Sequence, residues 1–165
     1  MKNLLNILGG LTLLGATMMA QAQVQTPPAV APTAPVADLQ AGFMKSVRGN
    51  VQLLSAAGTS RPAAAGDALS SVDRIVTGPD SSAAVVLRDD TTLIVGPSSR
   101  MDLKEFHFDA TTRDGGLLIS LLRGSMRMIT GLIGKTNPDA VRVETQTATI
   151  GIRGTDFIVQ TDAKP

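Results

Sequence analysis

Glu105, His107 and Asp109 alternate within the stretch "DLKEFHFD". Residues at i, i+2 and i+4 of a strand share one face, so an imidazole and two carboxylates could converge there on one cation such as zinc. An ordinary solvated face competes with that reading, with Phe106 and Phe108 turned inward. One histidine with two carboxylates is a weak zinc set, and His107 is the only histidine of the chain. The solvated face is therefore the favoured reading, and Glu105, His107 and Asp109 stand as the alternative ligand set. No cofactor is expected.

Other candidate chemistry falls away on spacing. "GLIGKT", residues 131 to 136, has the ending of a phosphate-binding loop, but the motif needs glycine at position 129, where Ile129 stands, and a helix opening after a strand. No serine sits in a Gly-x-Ser-x-Gly elbow, and a chain without cysteine has no thiol nucleophile. Asp89-Asp90 could pair as carboxylates for calcium or hydrolysis. Between the apolar runs "AAVVLR" and "TTLIV" it reads better as a two-residue hairpin turn, since Asp tolerates the left-handed region. The sequence offers no catalytic residue, and an enzyme is not expected.

The elements that would position such residues are short and β-rich. Strands are expected at about 43–48, 50–54, 74–77, 83–88, 92–95, 101–108, 117–122, 125–130, 141–144, 147–152 and 156–160, where β-branched and apolar residues alternate. Gly58, Gly66-Asp67, Gly78-Pro79-Asp80, Gly96-Pro97, Gly115-Gly116, Gly131 and Asn137-Pro138 punctuate them as turns. "LLISLL" at 117–122 could instead be one helical turn. Strand and turn alternating in this way indicate an all-β sandwich, barrel or short solenoid.

Three echoes cross this pattern. "RGNVQLL" from Arg48, "RGSMRMI" from Arg123 and "RGTDFIV" from Arg153 each set Arg-Gly and a small polar residue before an apolar strand. Glycine takes positive φ or a bulge without a Cβ clash, so each echo could bend a strand into a neighbouring sheet. Repetition argues for a structural device over three separate sites.

The chain's start reads differently. A basic opening at Lys2, an apolar run from Leu4 to Met19 and Ala20-Gln21-Ala22 make residues 1–22 a secretory signal peptide, with cleavage expected after Ala22. Its glycines and Asn6 argue against a stable membrane span. Residues 23–41, rich in Pro and Ala, are expected to be a disordered linker, and 42–165 the folded domain. Loss of the leader removes Lys2 alone among charged residues, leaving 14 basic and 14 acidic. A neutral balance gives no electrostatic footprint for nucleic acid. Four Phe and no Trp or Tyr leave few rings for stacking sugars or bases.

The run "GDALSSVDRIVTGPDSSAAVVLRDDTTLIVGPSSRMDL", the later "LLRGSMRMITG" and the ending "VRVETQTATIGIRGTDFIVQ" resemble successive blocks of the FecR domain family. The most specific piece is the ending, carried by Thr145, Ala148, Gly151, Ile152, Arg153, Gly154, Thr155 and Phe157. The resemblance implies an antiparallel β-sandwich, jelly-roll-like, with a non-enzymatic sensing or interaction role in the periplasm. In the best understood members that domain belongs to a transmembrane sigma-factor regulator. This chain is expected to be an exported single domain instead, periplasmic or secreted, with a protein partner in the cell envelope. The motif residues would serve folding or partner binding.

Overall fold

The computed structural model describes residues 40–152 and 154–162. The expected signal peptide, most of the linker and Arg153 lie outside the described residues. The strands are β1 (Gln40–Arg48), β2 (Val51–Leu54), β3 (Ser60–Pro62), β4 (Ala68–Ser70), β5 (Arg74–Thr77), β6 (Ser82–Leu87), β7 (Thr92–Val95), β8 (Arg100–Phe108), β9 (Gly115–Ile129), β10 (Val141–Glu144), β11 (Thr149–Gly151) and β12 (Asp156–Thr161). One short helix, α1 (Leu132–Thr136), and a 3-10 turn at Pro138–Ala140 lie between β9 and β10. The domain is all-β and mostly antiparallel.

All twelve strands belong to one curled sheet. Its first arm runs β4, β1, β6, β7, distal half of β9, β12; its second runs β3, β2, β5, β8, proximal half of β9, β10, β11. The fifteen-residue β9 is the shared spine. It pairs with β8 as far as Arg123 and with β7 and β12 from Gly124 onward. The inner faces of both arms supply one core, in which Met44, Val85, Leu93 and Met126 of the first arm join Leu53, Ile75, Met101 and Ile119 of the second. Strict alternation produces this: Ala83, Val85 and Leu87 of β6 are buried while Ser82, Ala84 and Val86 face outward. With no disulfide to assist, burial of such side chains, each contributing about 1.5–3 kcal/mol, carries the fold.

Several expectations are corrected. The runs at 117–122 and 125–130 form a single strand, because the backbone keeps pairing across Arg123-Gly124 while changing neighbours. The "LLISLL" segment is therefore strand and not a helical turn. β3 and β4 carry too little apolar alternation to be seen in sequence, and β1 already starts at Gln40. "GLIGKT" holds the one helix among the described residues, on the connection that lets β10 run parallel to β9.

Candidate functional site

The Arg-Gly echoes land on corners of the sheet. Gly49, Gly124 and Gly154 all have positive φ, at 69°, 90° and 143°. Gly49 lies where the chain leaves β1 in the first arm for β2 in the second, Gly124 where β9 changes arms, and Gly154 where β11 gives way to β12. A left-handed conformation is accessible to glycine without a Cβ clash, which is why glycine recurs at these transfers.

Two of these corners receive a matching partner. "GPDS" from Gly78 and "GPSS" from Gly96 each turn the chain between arms. In the first, Ser81 Oγ donates to the Pro79 carbonyl at 3.0 Å and accepts from Asn50 N–H at 2.9 Å. In the second, Ser99 Oγ donates to the Pro97 carbonyl at 3.0 Å and accepts from Ser125 N–H at 2.9 Å. Each Gly-Pro-x-Ser corner thus satisfies the residue after an Arg-Gly. The two Gly-Pro corners also meet, with Ser98 N–H donating to the Gly78 carbonyl at 2.9 Å. The signal was present in sequence as the repeated Gly-Pro-x-Ser spacing, but the pairing needs the fold.

The family ending wraps from the edge of the second arm onto the first. Thr145 and Ala148 close a tight turn: Thr145 N–H donates to the Ala148 carbonyl at 2.8 Å, and Ala148 N–H to Thr145 Oγ1 at 3.1 Å. Gly151 pairs with Arg142, and Ile152 is buried. The Thr155 carbonyl accepts from Thr130 N–H at 2.9 Å, and Phe157 packs half-buried against the core. Motif residues therefore sit together along 145–157, mostly engaged with backbone.

Glu105 and His107 share the solvated outer face of β8, with Phe106 and Phe108 turned toward the core, and Asp109 does not join them. His107 Nδ1 and Glu105 Oε1 lie 3.2 Å apart, with side chains 64% and 60% exposed. Asp109 lies beyond the end of β8, and its Oδ1 accepts from Thr111 and Thr112 N–H at 2.7 and 3.0 Å. Those two backbone donors hold its carboxyl below the ordinary aspartate value. The carboxylate closes a turn, which removes it from the alternation. Among the described residues no three His, Cys, Asp or Glu side chains gather as a metal site.

Asp89 differs from expectation in its burial. It lies in the turn between β6 and β7, as expected, but its side chain is fully buried. Its carboxylate accepts from Thr91 N–H at 3.1 Å, Thr91 Oγ1–H at 2.7 Å and Ile133 N–H at 3.4 Å. Its carbonyl accepts from Leu132 N–H at 2.7 Å. Asp89 thereby caps α1 from another part of the chain, while Asp90, at φ 66°, makes the turn. Among the described residues every buried side-chain polar atom has a partner.

On the outside of the second arm, a hollow of about 390 Å³ is lined by Thr77, Ser99, Arg100, Arg123 and Gln146 among others. Arg123 Nε donates to the Ser98 carbonyl at 3.0 Å, and Gln146 Nε2 to the Leu122 carbonyl at 3.0 Å. Arg74 holds Asp102 through two N–H donors, and this bond raises the arginine's already high pKa further. No helix among the described residues is long and apolar enough to cross a membrane.

A corner-turned, all-β domain with its polar groups spent on architecture is the class these features define. Residues 73–165 match the family model described as FecR protein, and the chain belongs to that family. FecR domains are non-catalytic and support an interaction role in the cell envelope, outside the cytoplasm. Comparison with curated proteins gave no match. A solved structure described as "Cell surface anchoring domain" is similar at 25% identity and TM-score 0.38, over 39% of this chain and 86% of its own. A score of that size carries no argument.

Proposed function

We propose that the chain is an exported, stand-alone FecR-like interaction or sensing module, periplasmic or secreted, that takes part in envelope signalling through a protein partner. The observation that carries this is the family match over residues 73–165, which contains the whole Thr145-to-Phe157 ending. The leader at 1–22, the disordered Pro/Ala-rich linker at 23–41 and a jelly-roll-like antiparallel β-sandwich belong to the same proposal. Arg153 is assigned to the partner, and Gly151, Gly154 and Phe157 to shaping the strand transfer from β11 to β12. The metal-binding alternative is not carried forward, since Asp109 is committed to its turn.

The test is capture by mild crosslinking in the periplasm, comparing wild type with Arg153→Ala. Wild type is expected to retain one specific envelope protein at native abundance. Arg153→Ala is expected to lose it with an unchanged circular dichroism spectrum. Fractionation of the protein with the cytoplasm, or capture indifferent to Arg153, overturns the proposal.

A further inference from the structure

The first arm ends in an unprotected edge. Among the described residues β12 pairs with β9 alone. The other terminal strands, β3, β4 and β11, have three residues each, and β3 ends in Pro62, so little ladder is left open on them. β12 has six residues, "DFIVQT", with no Lys, no Pro and no bulge in its register. Its one charge, Asp156, is neutralised by Arg127, and the other usual devices that stop an edge from pairing are absent from it.

The ladder says which backbone groups are open. Thr130 N–H donates to the Thr155 carbonyl, so those two residues form a hydrogen-bonded pair, and such pairs alternate along an antiparallel ladder. Phe157, Val159 and Thr161 accordingly turn their backbone groups toward β9. Asp156, Ile158 and Gln160 turn theirs toward the open edge.

We propose that β12 pairs antiparallel with β12 of a second copy of this chain, joining two first arms into one continuous sheet. Pairing all three open residues with the same three of another copy fixes one register, with the two-fold axis at Ile158. Ile158 then faces the second copy's Ile158, Asp156 faces Gln160, and on the inner side Phe157 faces Val159. No like charges oppose. The Asp156 carboxylate is already held by Arg127, whose Nε donates at 2.9 Å, and this ion pair keeps its pKa below the ordinary value. Ile158, 70% exposed, is the most exposed large apolar residue among those described, and pairing covers it. On the same outer face Ile158 stands opposite Arg127, which stands opposite the exposed Ile94, and the exposed Ile129 lies in the next row. A symmetric, self-complementary contact of this kind closes as a dimer. A single strand edge buries less than an obligate interface, so association is reversible and concentration-dependent.

This inference stands apart from the partner reading, since Arg153 takes no part in it. Sedimentation velocity of the purified protein, from low micromolar to submillimolar concentration, tests it. Wild type is expected to shift from monomer to dimer. Ile158→Lys and Ile158→Glu, each placing like charges across the axis, are expected to weaken the dimer by about tenfold or more. An equimolar mixture of the two variants should restore it as a heterodimer, which only an Ile158-to-Ile158 register predicts. Unchanged circular dichroism and melting temperature show that both variants fold, as expected at so exposed a position. A wild type that stays monomeric throughout, a dimer indifferent to both variants, or a mixture that stays monomeric overturns the proposal.

Discussion

Glycine corners differ in what surrounds them, and that difference sets the cost of filling them. At Gly124 an added Cβ would run into the Ser99 side chain and its Cα, and φ is 90°. At Gly154 none of the described residues outside its chain neighbours comes within 4 Å of an added Cβ, so the backbone conformation, φ 143°, is what resists. Gly154→Val is expected to cost about 1–2 kcal/mol from backbone strain. Gly124→Ala adds displacement of Ser99, whose hydroxyl accepts from Ser125 N–H, and is expected to cost about 3 kcal/mol or more. Urea unfolding followed by circular dichroism measures both. Equal losses at the two sites would mean that the corner packing contributes nothing beyond φ. The repeated Arg-Gly was legible in sequence as a bend because glycine's freedom is local. The serine that receives each of the first two corners was not, because Ser81 and Asn50 are brought together by two different arms.

Elements whose side chains alternate cleanly were legible, and those held from a distance were not. β5, β7 and β10 fall at their expected bounds, Arg74–Thr77, Thr92–Val95 and Val141–Glu144, because buried and outward residues alternate along each. α1 has five residues, too few to be stable by propensity, and its first two amide donors, of Leu132 and Ile133, go to Asp89. Of the Glu105-to-Asp109 alternation, Glu105 and His107 do face outward with Phe106 buried between them, and only Asp109 is lost to it because the strand stops at Phe108. A register shift lies earlier, between Leu103 and Glu105, and leaves Lys104 exposed beside Glu105. Periodicity shows neither a bulge nor a strand end. For the buried cap, Asp89→Ala leaves the Thr91 hydroxyl and the Ile133 N–H without their acceptor, and is expected to cost about 3 kcal/mol. Hydrogen exchange should show α1 amides losing protection before those of β6 and β7. Uniform loss, or none, would remove Asp89 from the role of helix anchor.

At the scale of the molecule, β9 decides how the fold comes apart. Its proximal half pairs with β8 and β10 and its distal half with β7 and β12, while both arms bury their inner faces in one core. Opening either arm strips the spine of partners that the other arm needs for its own burial. The domain is therefore expected to unfold in one cooperative step, with the slowest amide exchange in β9 and near the global stability. Two truncations probe this from opposite arms. Met126 and Ile119 are both fully buried, the first paired against β7 and β12 and the second against β8 and β10. Met126→Ala and Ile119→Ala should each cost about 2–5 kcal/mol. Each should move the whole urea transition, seen by circular dichroism and by methyl NMR signals of both arms, to the same lower midpoint. If Met126→Ala melts the first arm while second-arm methyl signals such as those of Ile75 and Leu53 stay native, the shared spine does not couple the arms.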